Sequence, residues 1–195
     1  MSRAPNPITA TVVLSVAALA IYGGVHYFAV DAADTAAAQT PALRVPDLAM
    51  PDLDGVETSL RNWPGQPMIV NFWATWCAPC LREIPMLMSY QAEHTDVQIV
   101  GIGVDSEDAV QDFAAENPFS YPVLVGPRGY EAAAAFGAEY LALPLTAFTA
   151  ADGRVLSLHM GEVEPAQLER FTAAIAGLAD GSLDFAAAAD LVEAH

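Results

Sequence analysis

The chain contains no lysine, and its positive charge rests on seven arginines against 24 acidic residues. A net charge of −17 repels phosphate backbones, so direct nucleic-acid binding is not expected. Cysteine is nearly as scarce, with two in 195 residues. Two cysteines cannot make a disulfide scaffold or fill a four-cysteine zinc site. Cys77 and Cys80, spaced C-x-x-C, can make one redox pair.

Formal charge is also missing from residues 8–30, which carry no Asp, Glu, Lys or Arg over 23 positions. As a helix that run spans about 35 Å, enough for a bilayer core of roughly 30 Å. Arg3 precedes it, and Asp31 and Asp34 follow. The positive-inside bias then keeps residues 1–7 cytoplasmic and exports the rest, giving a single-pass inner-membrane anchor and a periplasmic domain. The competing reading is a cleaved signal peptide with Ala36-Ala37-Ala38 as the cleavage site, although the apolar run exceeds the usual signal core. Both readings put the domain in an oxidising compartment, where a C-x-x-C pair has a use. Residues 31–42 are small and polar without periodicity and read as a flexible tether.

The remaining chain reads as one domain over residues 43–178 with a tail at 179–195. Residues 43–60 hold two short extended pieces around Asp54-Gly55, a hairpin signal. Residues 68–73 (MIVNFW) and 97–104 (VQIVGIGV) are apolar and rich in β-formers, as buried strands are. A helical pattern covers 79–94. A second helix covers 106–116, with Ser106 as N-cap and acids in the first turn. A short strand at 122–125 and a short Ala-rich helix at 129–136 follow. Strands at 145–150 and 155–160 flank the turn signal Asp152-Gly153, and an amphipathic helix covers 164–178. The tail reads as one further weak helix. Alternating strands and helices imply an α/β fold with a mostly parallel sheet, and the late hairpin adds an antiparallel edge.

This order puts Cys77 at the start of the helix after the first buried strand. Unsatisfied N–H groups and the positive end of the helix dipole favour a thiolate there. Cys80 is one turn further in, on the same face and less exposed. Cys77 is thus suited to attack a disulfide and Cys80 to resolve the mixed disulfide. Pro79 fits the first helical turn, where a missing N–H costs little. Glu83, one turn beyond Cys80, either tunes or deprotonates the inner thiol or is an ordinary first-turn acid. Arg82 is expected to face solvent. Phe72 and Trp73 read as core, whereas Trp76 abuts the cysteine and reads as cover for the site. Pro144 precedes a strand, and sequence alone does not decide whether it is cis.

The stretch Val70-Asn71-Phe72-Trp73-Ala74-Thr75-Trp76-Cys77-Ala78-Pro79-Cys80-Leu81-Arg82-Glu83-Ile84-Pro85 resembles the active-site segment of the TlpA/ResA/CcmG group of thioredoxin-like proteins. Pro46-Asp47-Leu48, Leu53-Asp54-Gly55, Gly103-Val104-Asp105, Leu143-Pro144 and Asp152-Gly153 fall in matching order. The resemblance implies a thioredoxin-like fold, a mixed sheet flanked by helices with an N-terminal β-hairpin extension. It implies that Cys77 is the nucleophile, Cys80 the resolving thiol and Pro144 a cis-proline opposite them. Glu83 matches the acid that the group carries after its motif, and Trp76, Ala78, Pro79 and Leu143 line the site. Members of this group are usually periplasmic reductants of client cysteine pairs, in apocytochromes c or at oxidase copper sites. They are re-reduced through a membrane electron-transfer protein.

No cofactor beyond the redox-active Cys77–Cys80 disulfide is expected, and no metal. Three departures stand out. Asn71 stands where thioredoxin proper has a buried Asp, as is common in the anchored group. Leu145-Thr146-Ala147-Phe148 follows Pro144 where Thr-Thr-Phe is usual, and the Gly-x-x-Gly-x-Pro-Glu-Thr stretch of the cytochrome branch is absent. Two rival activities stay open: a Cu(I)-binding oxidase-assembly factor using both thiols with His94 or His159, and a disulfide oxidant or isomerase on the same fold.

Overall fold

A computed structural model describes residues 43–194. The expected cytoplasmic segment 1–7, anchor 8–30 and tether 31–42 lie outside these residues. Among the described residues, no helix is long and apolar enough to cross a membrane.

Among the described residues, seven strands and five helices follow in the order β1 (Ala49–Pro51), β2 (Glu57–Ser59), β3 (Met68–Trp73), α1 (Ala78–Glu93), β4 (Gln98–Gly103), α2 (Glu107–Glu116), β5 (Val123–Val125), α3 (Gly129–Ala135), β6 (Leu145–Thr149), β7 (Val155–Met160), α4 (Pro165–Asp180) and α5 (Phe185–Glu193). The main sheet has the order β5-β4-β3-β6-β7. β3, β4 and β5 run parallel, while β6 and β7 are antiparallel to their neighbours. The helical crossovers α1 and α2 make the parallel half, and the Asp152-Gly153 turn makes the antiparallel edge. This is the thioredoxin-like arrangement, with β1 and β2 as the N-terminal hairpin.

β3 is central and buried along its whole length, as its unbroken apolar run requires. Its residues alternate between two cores. Ile69 and Trp73 face a core shared with Ile84 and Leu87 of α1, Val110 of α2, and Leu168 and Phe171 of α4. Met68, Val70 and Phe72 face a second core shared with Ala132 and Phe136 at α3 and with Met50 and Leu60 of the N-terminal hairpin region. The hairpin loop is held by the Asp52 carboxylate, whose Oδ1 accepts from the N–H groups of Asp54 at 3.0 Å and Val56 at 2.9 Å. Ser106 caps α2 by accepting from the Ala109 N–H at 3.3 Å.

Beyond residue 178 the chain does more than the weak pattern of the tail announces. α4 continues to Asp180 and stops at Gly181 in the left-handed conformation (φ 77°). Asp184 then caps α5. Ala188 and Val192 are fully buried against the first core. The Arg154 guanidinium lies 3.9 Å above the Phe185 ring. Leu183 packs into the space above Gly177, where an added Cβ would stand 2.6 Å from its Cδ1. Gly177→Ala should therefore push α5 off α4 and destabilise the domain by about 1–3 kcal/mol, read as a lowered urea midpoint. An unchanged midpoint would show that α5 contributes nothing to the fold.

Candidate active site

The site is built at the C-terminal end of β3. Trp73 ends that strand, and residues 74–77 lead to α1. The Val104 N–H donates to the Trp73 carbonyl at 2.8 Å and the Cys77 N–H to the Ala74 carbonyl at 3.1 Å. The Thr75 hydroxyl donates to Asp105 Oδ2 at 2.5 Å. These bonds fix the connection, and Cys77 becomes the N-cap of α1. Its Sγ accepts from the Cys80 N–H at 3.4 Å and is disulfide-bonded to Cys80 Sγ. A sulfur at a helix N-cap lies where the dipole and the free N–H groups stabilise negative charge.

Cys77 is 4% exposed and Cys80 is fully buried. The order of accessibility follows the helix position, but Cys77 is far less open than a helix start suggests, because its sulfur turns inward onto the first turn. Ala78 is exposed and Pro79 half-buried. Trp76 is 68% exposed, so most of its side chain faces solvent. It presents a large apolar face to solvent beside the nucleophile position.

The Leu143–Pro144 peptide bond is cis. β6 begins one residue later, with Leu145 in register with Phe72 of β3. Pro144 is thus buried beside the strand end that leads to the cysteines. Leu143 packs against the core cluster that contains both cysteines.

Glu83 is buried to 1% exposure on α1. One carboxylate oxygen accepts from Asn71 Nδ2 at 2.8 Å and the other from the Val163 backbone N–H at 2.7 Å. Asn71 Nδ2 also donates to Thr146 Oγ1 at 3.0 Å. Burial dominates the electrostatics and pushes the Glu83 carboxyl up to about 7, against the lowering effect of the two donors; Glu162 nearby adds a small upward push. The buried Tyr121 hydroxyl is raised by burial and by the Glu83 charge. Glu83 is therefore a buried acid that changes protonation near neutral pH, not a solvated first-turn acid.

Several contributors have no local signal in the sequence. Val163 and Glu162 lie 80 residues from their α1 partners. Thr146 falls in the stretch after Pro144 that departs from the group's usual pattern, and its hydroxyl is part of the Glu83 network. Arg82 is exposed as expected, but its guanidinium grips Glu162, with Nε at 3.2 and 3.1 Å from the two oxygens and Nη2 at 2.5 Å from Oε2. The two candidate copper-site histidines each face a backbone carbonyl: His94 Nδ1 lies 3.1 Å from the Tyr90 oxygen and His159 Nε2 3.2 Å from that of Glu162. Among the described residues no three His, Cys, Asp or Glu side chains converge as metal ligands would.

A C-x-x-C disulfide at a helix N-terminus on a thioredoxin-like sheet defines a thiol–disulfide oxidoreductase. Known proteins agree. Residues 41–157 match the AhpC/TSA family. Thiol-disulfide oxidoreductase ResA of Bacillus thuringiensis is 30% identical over 122 residues, covering 61% of this chain and 69% of that protein. The thioredoxin-like protein YneN of Bacillus subtilis is 29% identical over 125 residues, covering 60% and 70%. The solved structure of MTB dsbF superposes with a TM-score of 0.59 at 29% identity, covering 67% of this chain and 98% of that one. The thiol:disulfide interchange protein DsbE from Chlorobium tepidum gives 0.61 at 26% identity, covering 69% and 96%. The chain belongs to the AhpC/TSA family, as a thioredoxin-family protein of the TlpA/ResA/CcmG-like kind.

Proposed function

We propose that the chain is a periplasm-facing, membrane-anchored reductant of disulfides in client proteins. The observation that carries this reading is the placement of Cys77: N-cap of α1, the more exposed of the two cysteines, with an exposed Trp76 next to it. In the dithiol form, the Cys77 thiolate attacks a client disulfide and releases one client thiol. Glu83 takes the proton from Cys80, whose thiolate then attacks the Cys77 sulfur of the mixed disulfide. The Cys77–client bond breaks, the Cys77–Cys80 bond forms, and the client leaves with both sulfurs reduced. The pair loses the two electrons that the client gains.

The direction of exchange is supported by Ala78-Pro79 between the cysteines, which is closer to the dipeptides of reductants than to the polar ones of strong oxidants. The location is supported by the uncharged run at residues 8–30. The clients proposed are proteins with cysteine pairs, at apocytochrome c haem sites or oxidase copper sites. A membrane electron-transfer protein re-reduces the disulfide. Expressing the full chain with Cys80→Ser should accumulate mixed disulfides, and identifying the trapped proteins tests the client class. A set of trapped partners without exported cysteine-pair proteins would overturn the assignment. So would a reduction potential well above roughly −200 mV, which would mark an oxidant or isomerase.

A further inference from the structure

Glu83 is 1% exposed, yet a cleft of about 350 Å³ is lined by it together with Val163, the residue whose N–H donates to its Oε2. Arg82, Glu83, Met86, Glu162, Val163, Glu164 and Pro165 line this cleft. Exposure orders them from outside to inside. The Arg82 side chain is 61% exposed and that of Glu162 is 36% exposed, whereas Val163 is 2% and Glu83 is 1% exposed. The ion pair therefore stands at the mouth and Glu83 at the floor. It also ties α1 to the segment between β7 and α4, the segment whose Val163 N–H holds Glu83 Oε2. None of Trp76, Cys77, Leu143 and Pro144 lines the cleft.

We propose that this cleft is the proton port of the Cys80 step, and that the Arg82–Glu162 pair at its mouth governs exchange of the Glu83 proton with solvent. Arg82 and Glu162 are then positioning residues that act through Glu83. This inference rests on the reading of Glu83 as the base for Cys80. In the resolving step the Cys80 S–H bond breaks and its proton goes to the Glu83 carboxylate. The Cys80 thiolate displaces the client thiolate from Cys77. Glu83 must then release the proton before it can serve again, and the cleft supplies a route that does not run through the surface carrying Trp76 and Cys77.

The charged and titratable groups around Glu83 are Arg82 and Cys80 on α1, Glu162 and Glu164 before α4, and Tyr121 before β5. His159 on β7 is bonded to the backbone of Glu162. The two halves of the pair carry opposite charge, so they bias the Glu83 proton in opposite directions. A purely mechanical clamp would respond alike to loss of either half.

The test is the pH profile of the resolving step in the full chain. The reduced protein reacts with 5,5′-dithiobis(2-nitrobenzoate), and the second release of thionitrobenzoate reports attack by Cys80. Glu162→Gln should lower the midpoint of that profile by ~0.5 pH unit, and Arg82→Gln should raise it by a similar amount. The double variant should return close to the parent, and Arg82→Lys should keep the parent midpoint. Shifts in the same direction, or none, overturn the proposal. Glu83→Gln separates the two levels. If it leaves the profile unaltered, the base assignment itself fails. If it flattens the profile while the pair variants move together, only the port fails.

Discussion

Cys77→Ser is expected to abolish reduction of protein disulfides, a loss of about 10³-fold or more. Cys80→Ser should instead keep the first attack and lose turnover. The asymmetry follows from position. Cys77 is the N-cap, where a thiolate is stabilised, and it keeps 4% exposure. Cys80 is fully buried one turn inside the helix and reaches only the sulfur beside it. Either substitution removes the disulfide, which closes a very small loop and contributes only about 2 kcal/mol on the chain-entropy view. Comparison with the reduced parent therefore isolates the chemical loss from any change in folding. The measurement is turnover of a dithiol-dependent insulin reduction assay beside a single-turnover thiol release. Equal behaviour of the two variants in single turnover would remove the division of roles.

Glu83→Gln is expected to stabilise the oxidised protein at alkaline pH and to do little at acid pH. The Glu83 carboxyl is raised from 4.5 to about 7 in the folded state. The folded chain thus holds a proton that the unfolded chain releases between those values. Stability is full below about 4.5 and falls as pH rises through about 7, by ~3 kcal/mol for this group. Glutamine carries no charge to desolvate, so the loss disappears. The site can accept the amide, because Asn71 Oδ1 has no partner among the described residues and can accept from it after a flip of the Asn71 side chain. Urea unfolding at pH 4 and pH 8 should show parent and variant alike at the first and the variant more stable at the second. Parallel behaviour at both would show that Glu83 is not charged in a desolvated site. The same variant should slow resolution by Cys80 by about 10²-fold if Glu83 is its base. Gain of stability with loss of rate is the pattern expected of a strained functional acid.

The fold was legible where composition and period agree. Residues 68–73 form a strand with those bounds because an apolar run of that length, buried on both faces, has little alternative. α1 and α2 were legible from their starts, Pro79 in one first turn and Ser106 capping the other. α5 was weakly legible because Phe185–Glu193 is short and rich in alanine, and its place is set by contacts with Arg154 and β7, and by Leu183 just before it packing on Gly177, that no local pattern encodes.

The site divides in the same way. The cysteine pair is local, so spacing was enough to single it out. The cis bond at Pro144 depends on how β6 enters the sheet beside β3, which the sequence around Pro144 leaves open. Glu83 was singled out as one of two readings. Burial by residues from β3, β6 and the segment before α4 removes the reading as an ordinary first-turn acid.

The central claim is that Cys77 forms the bond to the client and Cys80 breaks it. The most direct measurement mixes the reduced full chain with a peptide disulfide, quenches with acid and maps the adducts by mass spectrometry. The account predicts a one-to-one adduct at Cys77 in Cys80→Ser, no adduct in Cys77→Ser, and an oxidised Cys77–Cys80 pair with two free peptide thiols in the parent. Adduct formation at Cys80 in Cys77→Ser at the parental rate would contradict it.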